Sequence, residues 1–387
     1  MGYVPYGRQR IDSDDIKEVV KVLKSDWLTQ GPKIKEFEAA LCKYAGAKYA
    51  VVVSSGTAAL HIACLAAGIQ LRDEAITSPI TFIASANCIL YCGGKPIFAD
   101  IEEETANIDP EEIEKKINRR TKAIIPVHFA GHPADLEEIY KMAKKNGLLI
   151  IEDAAHALGA EYKGSKIGSC EYSDMAIFSF HPVKSITMGE GGAVLTNNKD
   201  LYGKLLMFRN HGIMKSHSKL RVKNQKLIGD WYYEMQELGF NYRITDFQCA
   251  LGISQLKKLD KFIQRRREIA SIYERGLKNN DYFNLPQEKN YAKSSWHLYP
   301  IRIKDKYKAK KREIFCKLRE KGLGVQVHYI PVYRHPYYQN LGYGKNSCFN
   351  AENFYQREIS IPIYPSMRDK DIKYVSDAII NVFKRIT

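Results

Sequence analysis

The stretch KAIIPVHFAGHPADLEEIYKMAKKNGLLIIED, residues 122–153, decides the fold class of this chain. An apolar run, KAIIPVHF, leads to a helix-like segment, DLEEIYKMAKKNG, and a second apolar run, LLIIED, follows. Continuous apolar strands that alternate with helices are typical of a parallel sheet covered on both faces. The stretch therefore predicts a strand–helix–strand unit.

The same alternation extends toward the N-terminus. KYAVVV leads to TAALHIACLAAG, EAITSP to FIASANCILY, and KPIFAD to a helix near 110–117. Before these lies a helix capped by Asp12 or Ser13, whose apolar residues follow helical spacing: Ile16, Val19, Val20 and Leu23. The fold class predicted is α/β, with a large, mostly parallel sheet.

The chain of 387 residues is too long for a single core, so we expect two domains. A long helical pattern over about 245–280 connects them. After it, strands near WHLYPIRI and GVQVHYIP and a final helix near 370–384 predict a smaller α/β domain. We place a large domain with an N-terminal arm at residues 1–250 and a small domain at residues 251–387.

Composition narrows the class of protein. Hydrophobic residues make up 45% and charged residues 27%, as in ordinary globular proteins. The first residues lack the apolar core of a signal peptide, and no run is long enough to cross a bilayer, so we expect a cytoplasmic protein without a membrane partner. Eight cysteines are scattered without a CxxC pair, which favours buried thiols over a metal site.

The net charge of +15 raises the possibility of nucleic-acid binding. That function needs basic residues clustered within a recognisable module, and here the lysines are spread over helix faces. We therefore expect no nucleic-acid partner. A field that attracts anionic small molecules is the interpretation we favour, since the motifs below also call for phosphate.

In parallel sheets, ligands bind beyond the carboxyl ends of the strands. One such end is followed by SSGTAAL, residues 54–60, which opens a helix. Small residues let a phosphate approach, and the free N–H groups at the helix start bind it. A serine or threonine N-cap with no ligand is the alternative. The lysine of a Walker loop is missing.

Two further strand ends carry candidate side chains. Asp153 ends LLIIED and can hold a cation such as a protonated ring nitrogen, although an acidic helix cap is the alternative. His156 follows it and by itself would more often be a structural histidine. Phe82, in SPITFIASAN, can stack on a flat cofactor or be an ordinary core residue.

The fourth strand end lies in FSFHPVKSITMGEGGAV, residues 178–194, with Lys184 in the turn that follows the strand. A lysine in a partly desolvated cleft loses proton affinity and becomes a nucleophile. A surface lysine is the alternative for any one lysine. Together, however, a phosphate cup, a carboxylate and a lysine at one sheet edge match the anchor points of pyridoxal phosphate.

With these residues assembled, the chain resembles the sugar aminotransferases of the DegT/DnrJ/EryC1/StrS family over nearly its whole length. The shared motifs, in order, are VPYGRQ, DWLTQGP, SSGTAAL, SPITFIASAN, NIDP, VHFAGHPADLEEI, IEDAAHALGAEYKG, FSFHPVK, GEGGAV, RNHG, LGFNYRITDFQCALG, WHLYPIRI and VHYIPVY. The resemblance implies the aspartate aminotransferase-like fold, type I of the pyridoxal-phosphate enzymes.

The resemblance also implies roles for the site residues. Lys184 would hold the cofactor covalently and move a proton between the cofactor carbon and the substrate carbon. Asp153 would pair with the ring nitrogen, Phe82 would stack on the ring, and His156 would lie near the ring hydroxyl, where the family often has glutamine. The phosphate would be held by Gly56, Thr57, Ser179 and Asn241 of the partner subunit, which implies a homodimer with shared active sites.

The HPVK form of the lysine turn and the opening VPYGRQ resemble the branch of the family that acts in pseudaminic acid synthesis. This implies that L-glutamate donates its amino group to the C4 ketone of UDP-2-acetamido-2,6-dideoxy-β-L-arabino-hexos-4-ulose. Family members that dehydrate sugars carry histidine in place of the lysine, and this chain keeps lysine. The alternatives are another UDP- or dTDP-keto sugar, as in bacillosamine, legionaminic acid or 4-amino-arabinose routes, or a non-catalytic regulator.

The resemblance further implies which residues line the nucleotide-sugar pocket: Tyr6, Asp26, Trp27, Leu28, Thr29, His181, His328, Tyr329, Ile330 and Pro331. Two other interpretations stay open. Tyr6 can simply pack the N-terminal arm, and the HYIP stretch can be a structural turn.

Overall fold

The computed structural model describes residues 2–222, 229–345 and 348–386. Its helices, in chain order, are α1 Ser13–Leu23, α2 Pro32–Ala45, α3 Gly56–Ala66, α4 Ala84–Tyr91, α5 Pro110–Glu114, α6 Leu136–Asn146, α7 Lys199–Arg209, α8 Asp246–Leu256, α9 Leu259–Leu277, α10 Lys311–Glu320, α11 Pro336–Asn340, α12 Phe349–Arg357 and α13 Asp369–Ile386. Its strands are β1 Tyr49–Val53, β2 Glu74–Thr77, β3 Lys95–Phe98, β4 Thr121–Ile125, β5 Leu149–Asp153, β6 Glu161–Tyr162, β7 Ser165–Lys166, β8 Met175–Ser179, β9 Gly192–Thr196, β10 Ile213–Met214, β11 Glu234–Met235, β12 Phe283–Asn284, β13 Ala292–Lys293, β14 Tyr299–Ile303 and β15 Glu358–Ile361.

A central sheet of seven strands, in the order β1-β9-β8-β5-β4-β2-β3, positions the site. Its strands run parallel except β9, which is antiparallel to both neighbours. Alternate residues of β1 enter different cores: Ala50 and Val52 pack on one face, and Val51 and Val53 on the other. The sheet is therefore covered on both sides, as its apolar strands predicted.

The unit predicted for residues 122–153 is confirmed as β4, α6 and β5. Helix α6 buries one face through Leu136, Ile139 and Ala143 and keeps its charged face in solvent. It ends at Gly147, whose φ of 64° is a left-handed conformation that glycine adopts without a steric penalty. Strands β4 and β5 then pair in parallel, which brings their carboxyl ends to the same edge.

A separate hydrophobic cluster surrounds the antiparallel sheet β12-β14-β15. It contains the last half of α9, parts of α10 and α13, and Val4 of the N-terminal segment. The first half of α9 packs in the core of the large sheet instead. We retain the division into residues 1–250 and 251–387 as a proposal, and note that α9 contributes to both cores.

Two local predictions are wrong. The segment GVQVHYIP forms no strand: residues 324–331 make one isolated bridge, from Gln326 to Ser360. The helical pattern over 245–280 is two helices, α8 and α9, because the chain turns at Lys257 and Lys258. The Lys258 ammonium there contacts the carboxylates of Asp12 and Asp15, a tertiary contact that local sequence does not reveal.

Within the described ranges, no helix combines the length and apolar character needed to span a membrane.

Candidate active site

A cavity of about 450 Å³ opens at the carboxyl ends of β5 and β8, beside the start of α3. This is the sheet edge at which the sequence predicted a ligand. The cavity is lined by Tyr6, Ser55, Gly56, Thr57, Leu60, Thr81, Phe82, Ala84, Val127, Asp153, Ala155, His156, Ile177, Ser179, His181, Val183, Lys184, Glu190, His328 and Tyr329.

Lys184 reaches the cavity from a tight turn after β8. The Lys184 N–H donates to the His181 carbonyl at 2.9 Å, and the Met188 N–H to the Phe180 carbonyl at 2.9 Å, which closes the turn. Desolvation lowers the pKa of the Lys184 amine to about 8, although the charge of Asp153 acts in the opposite direction. A substantial fraction of the amine is therefore neutral, and nucleophilic, near physiological pH.

This pKa predicts a pH dependence. An amine attacks an aldehyde only in its neutral form, so the apoprotein should take up pyridoxal phosphate faster as pH rises, with a half-maximal rate near pH 8. Stopped-flow absorbance at several pH values measures this rate. An ordinary, solvated lysine would instead reach half-maximal rate above about pH 10, and that result would contradict the desolvated environment.

Asp153, the last residue of β5, is held by neighbouring donors. Its Oδ2 accepts from the Ser85 hydroxyl at 2.5 Å, and its Oδ1 accepts from the Ala155 N–H at 3.1 Å. Ser85 is in turn hydrogen-bonded to the hydroxyl of Thr81 at 2.6 Å. Thr81, Ser85 and Asp153 are all buried, so the orientation of the carboxylate is fixed. A buried carboxylate is stabilised by a cationic partner, which a ligand in the cavity could provide.

The start of α3 lies unusually close to the end of β8. A Cβ on Gly56 would lie 2.9 Å from the Cβ of Ser179, so only glycine fits without displacement. Ser55 caps the helix by accepting from the Ala58 N–H at 3.1 Å. In the described residues, the N–H groups of Gly56 and Thr57 have no acceptor, which leaves them for a phosphate.

His156 lines the cavity and contacts Tyr329 and His297, two residues from the C-terminal part of the chain. Its Nε2 is 3.2 Å from the Tyr329 hydroxyl, and its ring is 4.4 Å from that of His297. Its Nδ1 is buried without a partner in the described structure. Burial, the Lys184 charge and His328 hold the pKa of His156 well below its ordinary value, so the ring is neutral. An orphaned polar atom beside the cavity is compatible with a polar cofactor.

The cavity thus brings together most of the predicted cofactor residues and four of the predicted sugar-pocket residues, Tyr6, His181, His328 and Tyr329. Asn241 is exposed on the surface and is not part of the lining of this chain's cavity. Residues 26–29 and Ile330 are also exposed and do not line the cavity. Pro331 is buried but does not line it either. Their predicted roles stay predictions.

Sequence reasoning missed Ser85, Thr81 and Ser55. A signal for the first two existed, because they lie four residues apart in SPITFIASAN, a spacing at which side chains can meet on a helical turn. The hydrogen bond from Ser85 to Asp153 joins residues 68 apart and was not visible in the sequence. His297 was also missed, since it lies in a strand-like apolar segment that predicts core packing.

The fold and the cavity define a transferase of the aspartate aminotransferase-like fold, as predicted. The chain belongs to the DegT/DnrJ/EryC1/StrS aminotransferase family, whose model matches residues 9–380. It is 44% identical over 386 residues to a Campylobacter jejuni protein named UDP-4-amino-4,6-dideoxy-N-acetyl-β-L-altrosamine transaminase, over 99% of this chain and 98% of the relative.

Solved structures agree with this assignment. Helicobacter pylori PseC, described as an aminotransferase involved in the biosynthesis of pseudoaminic acid, superposes with a TM-score of 0.92 at 38% identity, over 99% of this chain and 100% of that one. The pyridoxal-phosphate form of a putative sugar aminotransferase, Spr1654 from Streptococcus pneumoniae, has a TM-score of 0.91 at 28% identity, over 100% of each chain. The expected cofactor, pyridoxal phosphate, and the expected enzyme class, aminotransferase, are confirmed.

Proposed function

We propose that this aminotransferase moves the amino group of L-glutamate onto the C4 ketone of UDP-2-acetamido-2,6-dideoxy-β-L-arabino-hexos-4-ulose, a step of pseudaminic acid biosynthesis. The observation that carries an amino-transfer function is the desolvated Lys184 amine in the same cavity as the Asp153 carboxylate. The choice of sugar is supported by the names of the C. jejuni relative and of PseC.

The residues present fit the cofactor. The α3 N-terminus, with Gly56 and Thr57, would hold the phosphate, Asp153 the ring nitrogen, and Lys184 the aldehyde carbon. Pyridoxal phosphate supplies an electron-withdrawing ring and a carbonyl that accepts an amino group. Within that arrangement, the Asp153 carboxylate, held in place by the Ser85 hydroxyl and the Ala155 N–H, would keep a proton on the ring nitrogen.

Lys184 carries the proton transfers of both half-reactions. With a pKa of about 8, its amine can accept a proton from the α-carbon of glutamate and later return a proton to C4 of the sugar. Phe82 would cover one face of the ring and exclude water from it. The products of the two halves are 2-oxoglutarate and the 4-amino sugar.

The charge of the chain suits these ligands. The cofactor, glutamate and a nucleoside diphosphate are all anionic at neutral pH, and the chain carries a net charge of +15. A positive field raises the local concentration of anionic substrates and their rate of association. Within the cavity, the protonated form of Lys184 adds a local positive charge.

We further propose a homodimer in which Asn241 of the partner subunit completes the phosphate site. Apolar side chains that a monomer would leave in water support it, because contiguous exposed apolar surface marks an interface. The exposed set includes one stripe of α1 and the loop after it: Ile16, Val20, Leu23, Trp27 and Leu28. Analytical ultracentrifugation should give the mass of a dimer; a fully active monomer would contradict shared sites.

The test of the sugar assignment is a panel of 4-keto and 3-keto nucleotide sugars with L-glutamate as donor. We expect kcat/KM for the β-L-arabino UDP sugar to exceed that for other UDP- and dTDP-keto sugars at least about tenfold. Preference for another sugar of the panel would replace the substrate and keep the reaction. Bound cofactor without turnover of any sugar would favour the non-catalytic regulator.

A further inference from the structure

A chain of polar groups runs from the cavity into the small domain through His328. The Nδ1 of His328 is 2.9 Å from the Ser360 hydroxyl, and this hydroxyl donates to Oε1 of Glu358 at 2.5 Å. The second oxygen of Glu358, Oε2, accepts from the His328 backbone N–H at 2.8 Å. Glu358 and Ser360 are two residues apart on β15, so their side chains share a face of the strand.

The direction of these bonds fixes the tautomer of His328. An ionised carboxylate can only accept hydrogen bonds, so the Ser360 hydroxyl must donate its single proton to the hydrogen bond with Glu358. Ser360 can then only accept from His328, which places the ring proton on Nδ1. The Nε2 atom carries a lone pair, has no hydrogen bond within the described ranges, and belongs to a ring that lines the cavity.

The charge of Glu358 matters, because a protonated Glu358 could donate to Ser360 and so reverse the direction of the hydrogen bonds between Glu358, Ser360 and His328. Complete burial raises the pKa of Glu358. Two effects oppose this: the Glu358 carboxylate accepts two hydrogen bonds, and the partly buried Lys311, which donates to the Tyr355 carbonyl, acts on it as a nearby positive charge. The net result is a pKa of about 8 for Glu358, so the carboxylate is ionised above that pH, and the arrangement of protons described above is that of the ionised form.

His328 itself stays neutral. Burial, followed by the positive charge of Lys184, lowers its pKa to about 3. The rings of Tyr6 and Tyr329 lie 5.6 and 4.8 Å from it and restrict its orientation. A neutral ring with a fixed tautomer presents one hydrogen-bonding character to the cavity, and here that character is an acceptor.

We propose that Glu358 and Ser360 are positioning residues that hold His328 as the Nδ1–H tautomer, so that its Nε2 accepts a hydrogen bond from a hydroxyl or amide N–H of the sugar. The ligand part of this inference rests on the proposed function, because it requires the nucleotide sugar in this cavity. A buried acceptor of fixed polarity rejects sugars that lack the matching donor, since the acceptor is then left unpaired.

The variant Glu358→Gln tests the direction of the hydrogen bonds between Glu358, Ser360 and His328. Glutamine has the shape of glutamate, but its amide must turn its oxygen to the His328 N–H and its NH₂ to Ser360. The hydroxyl then donates to Nδ1, and the ring proton moves to Nε2. Long-range ¹H–¹⁵N spectra of the holoenzyme, labelled at histidine, distinguish the tautomers, and the His328→Gln spectrum assigns the signal.

At about pH 9, where Glu358 is ionised, we expect the Nδ1–H form in the wild type, the Nε2–H form in Glu358→Gln, and a mixture in Ser360→Ala. A matched control, Ser376→Ala, removes a hydroxyl that bonds only within α13 and should leave the signal unchanged. An Nε2–H wild type, or a Glu358→Gln variant that keeps the Nδ1–H form, overturns the proposal. Ser360→Ala keeps the test available if Glu358→Gln does not fold.

Kinetics test the ligand part separately. With the inverted tautomer, KM for the UDP-keto sugar should rise about tenfold, whereas release of 2-oxoglutarate from glutamate should be unchanged. An inverted tautomer with an unchanged KM overturns the role of Nε2 as a sugar acceptor. An inverted tautomer in a protein that aminates no nucleotide sugar instead overturns the proposed function and leaves the positioning role intact.

Discussion

Lys184→Ala is expected to abolish amino transfer, with a loss of at least about a thousandfold in kcat for both half-reactions. In the proposed mechanism, this variant lacks both the nucleophile that would hold the cofactor and the group that would move protons at the substrate carbon. The wild-type Lys184 amine is desolvated in the cavity, and alanine provides no base at this position. The fold should survive, because the side chain makes no described hydrogen bond.

The measurement is release of 2-oxoglutarate from glutamate, with thermal unfolding and circular dichroism as checks of the fold. Lys199→Ala serves as the matched control, since Lys199 is exposed at the start of α7, and it should retain wild-type turnover. Turnover by folded Lys184→Ala within tenfold of the wild type would sink the assignment of the catalytic base.

Asp153→Asn is expected to lower kcat about a hundredfold or more. The amide keeps the size of the side chain and can still accept from Ser85 or Ala155, but it carries no negative charge for a protonated ring nitrogen. The ring then withdraws electrons less strongly, and proton removal from glutamate slows. Cofactor affinity should fall less than kcat, because the proposed phosphate site at Gly56 is unchanged.

Asp174→Asn is the control for this substitution. Asp174 precedes β8, and its carboxylate accepts from the Ile150 N–H at 2.8 Å, at the opposite end of the strands from the cavity. Both variants remove one structured carboxylate, so a general loss of stability should affect them alike. Equal kcat values for the two variants, measured on folded protein, would show that the Asp153 charge has no special role.

The fold and the meeting of the three candidate cofactor residues in one cavity were predictable for one reason. Residues at the carboxyl ends of parallel strands meet at one edge, so a sequence that predicts the strands also predicts that their last residues are neighbours. Asp153 ends β5 and Lys184 follows β8. These two strands pair in the sheet, and Gly56 follows β1. Their convergence in one cavity needed no knowledge of distant contacts.

The parts that sequence could not predict depend on contacts between distant segments. GVQVHYIP alternates like a strand, but the chain there leaves the sheet edge after one bridge and turns into the cavity at His328. The link from His328 to Glu358 spans 30 residues, and that from Ser85 to Asp153 spans 68. Neither has a local pattern, so only the structure identifies these supporting residues.

The most direct test of the central claim uses ¹⁵N-labelled L-glutamate, pyridoxal phosphate and the UDP-4-keto sugar, with mass spectrometry of the sugar product. We predict a 4-amino sugar that carries the label, 2-oxoglutarate in equal amount, and neither product from Lys184→Ala. Protein that binds the cofactor but leaves the sugar unlabelled, while releasing no 2-oxoglutarate, would contradict a nucleotide-sugar aminotransferase.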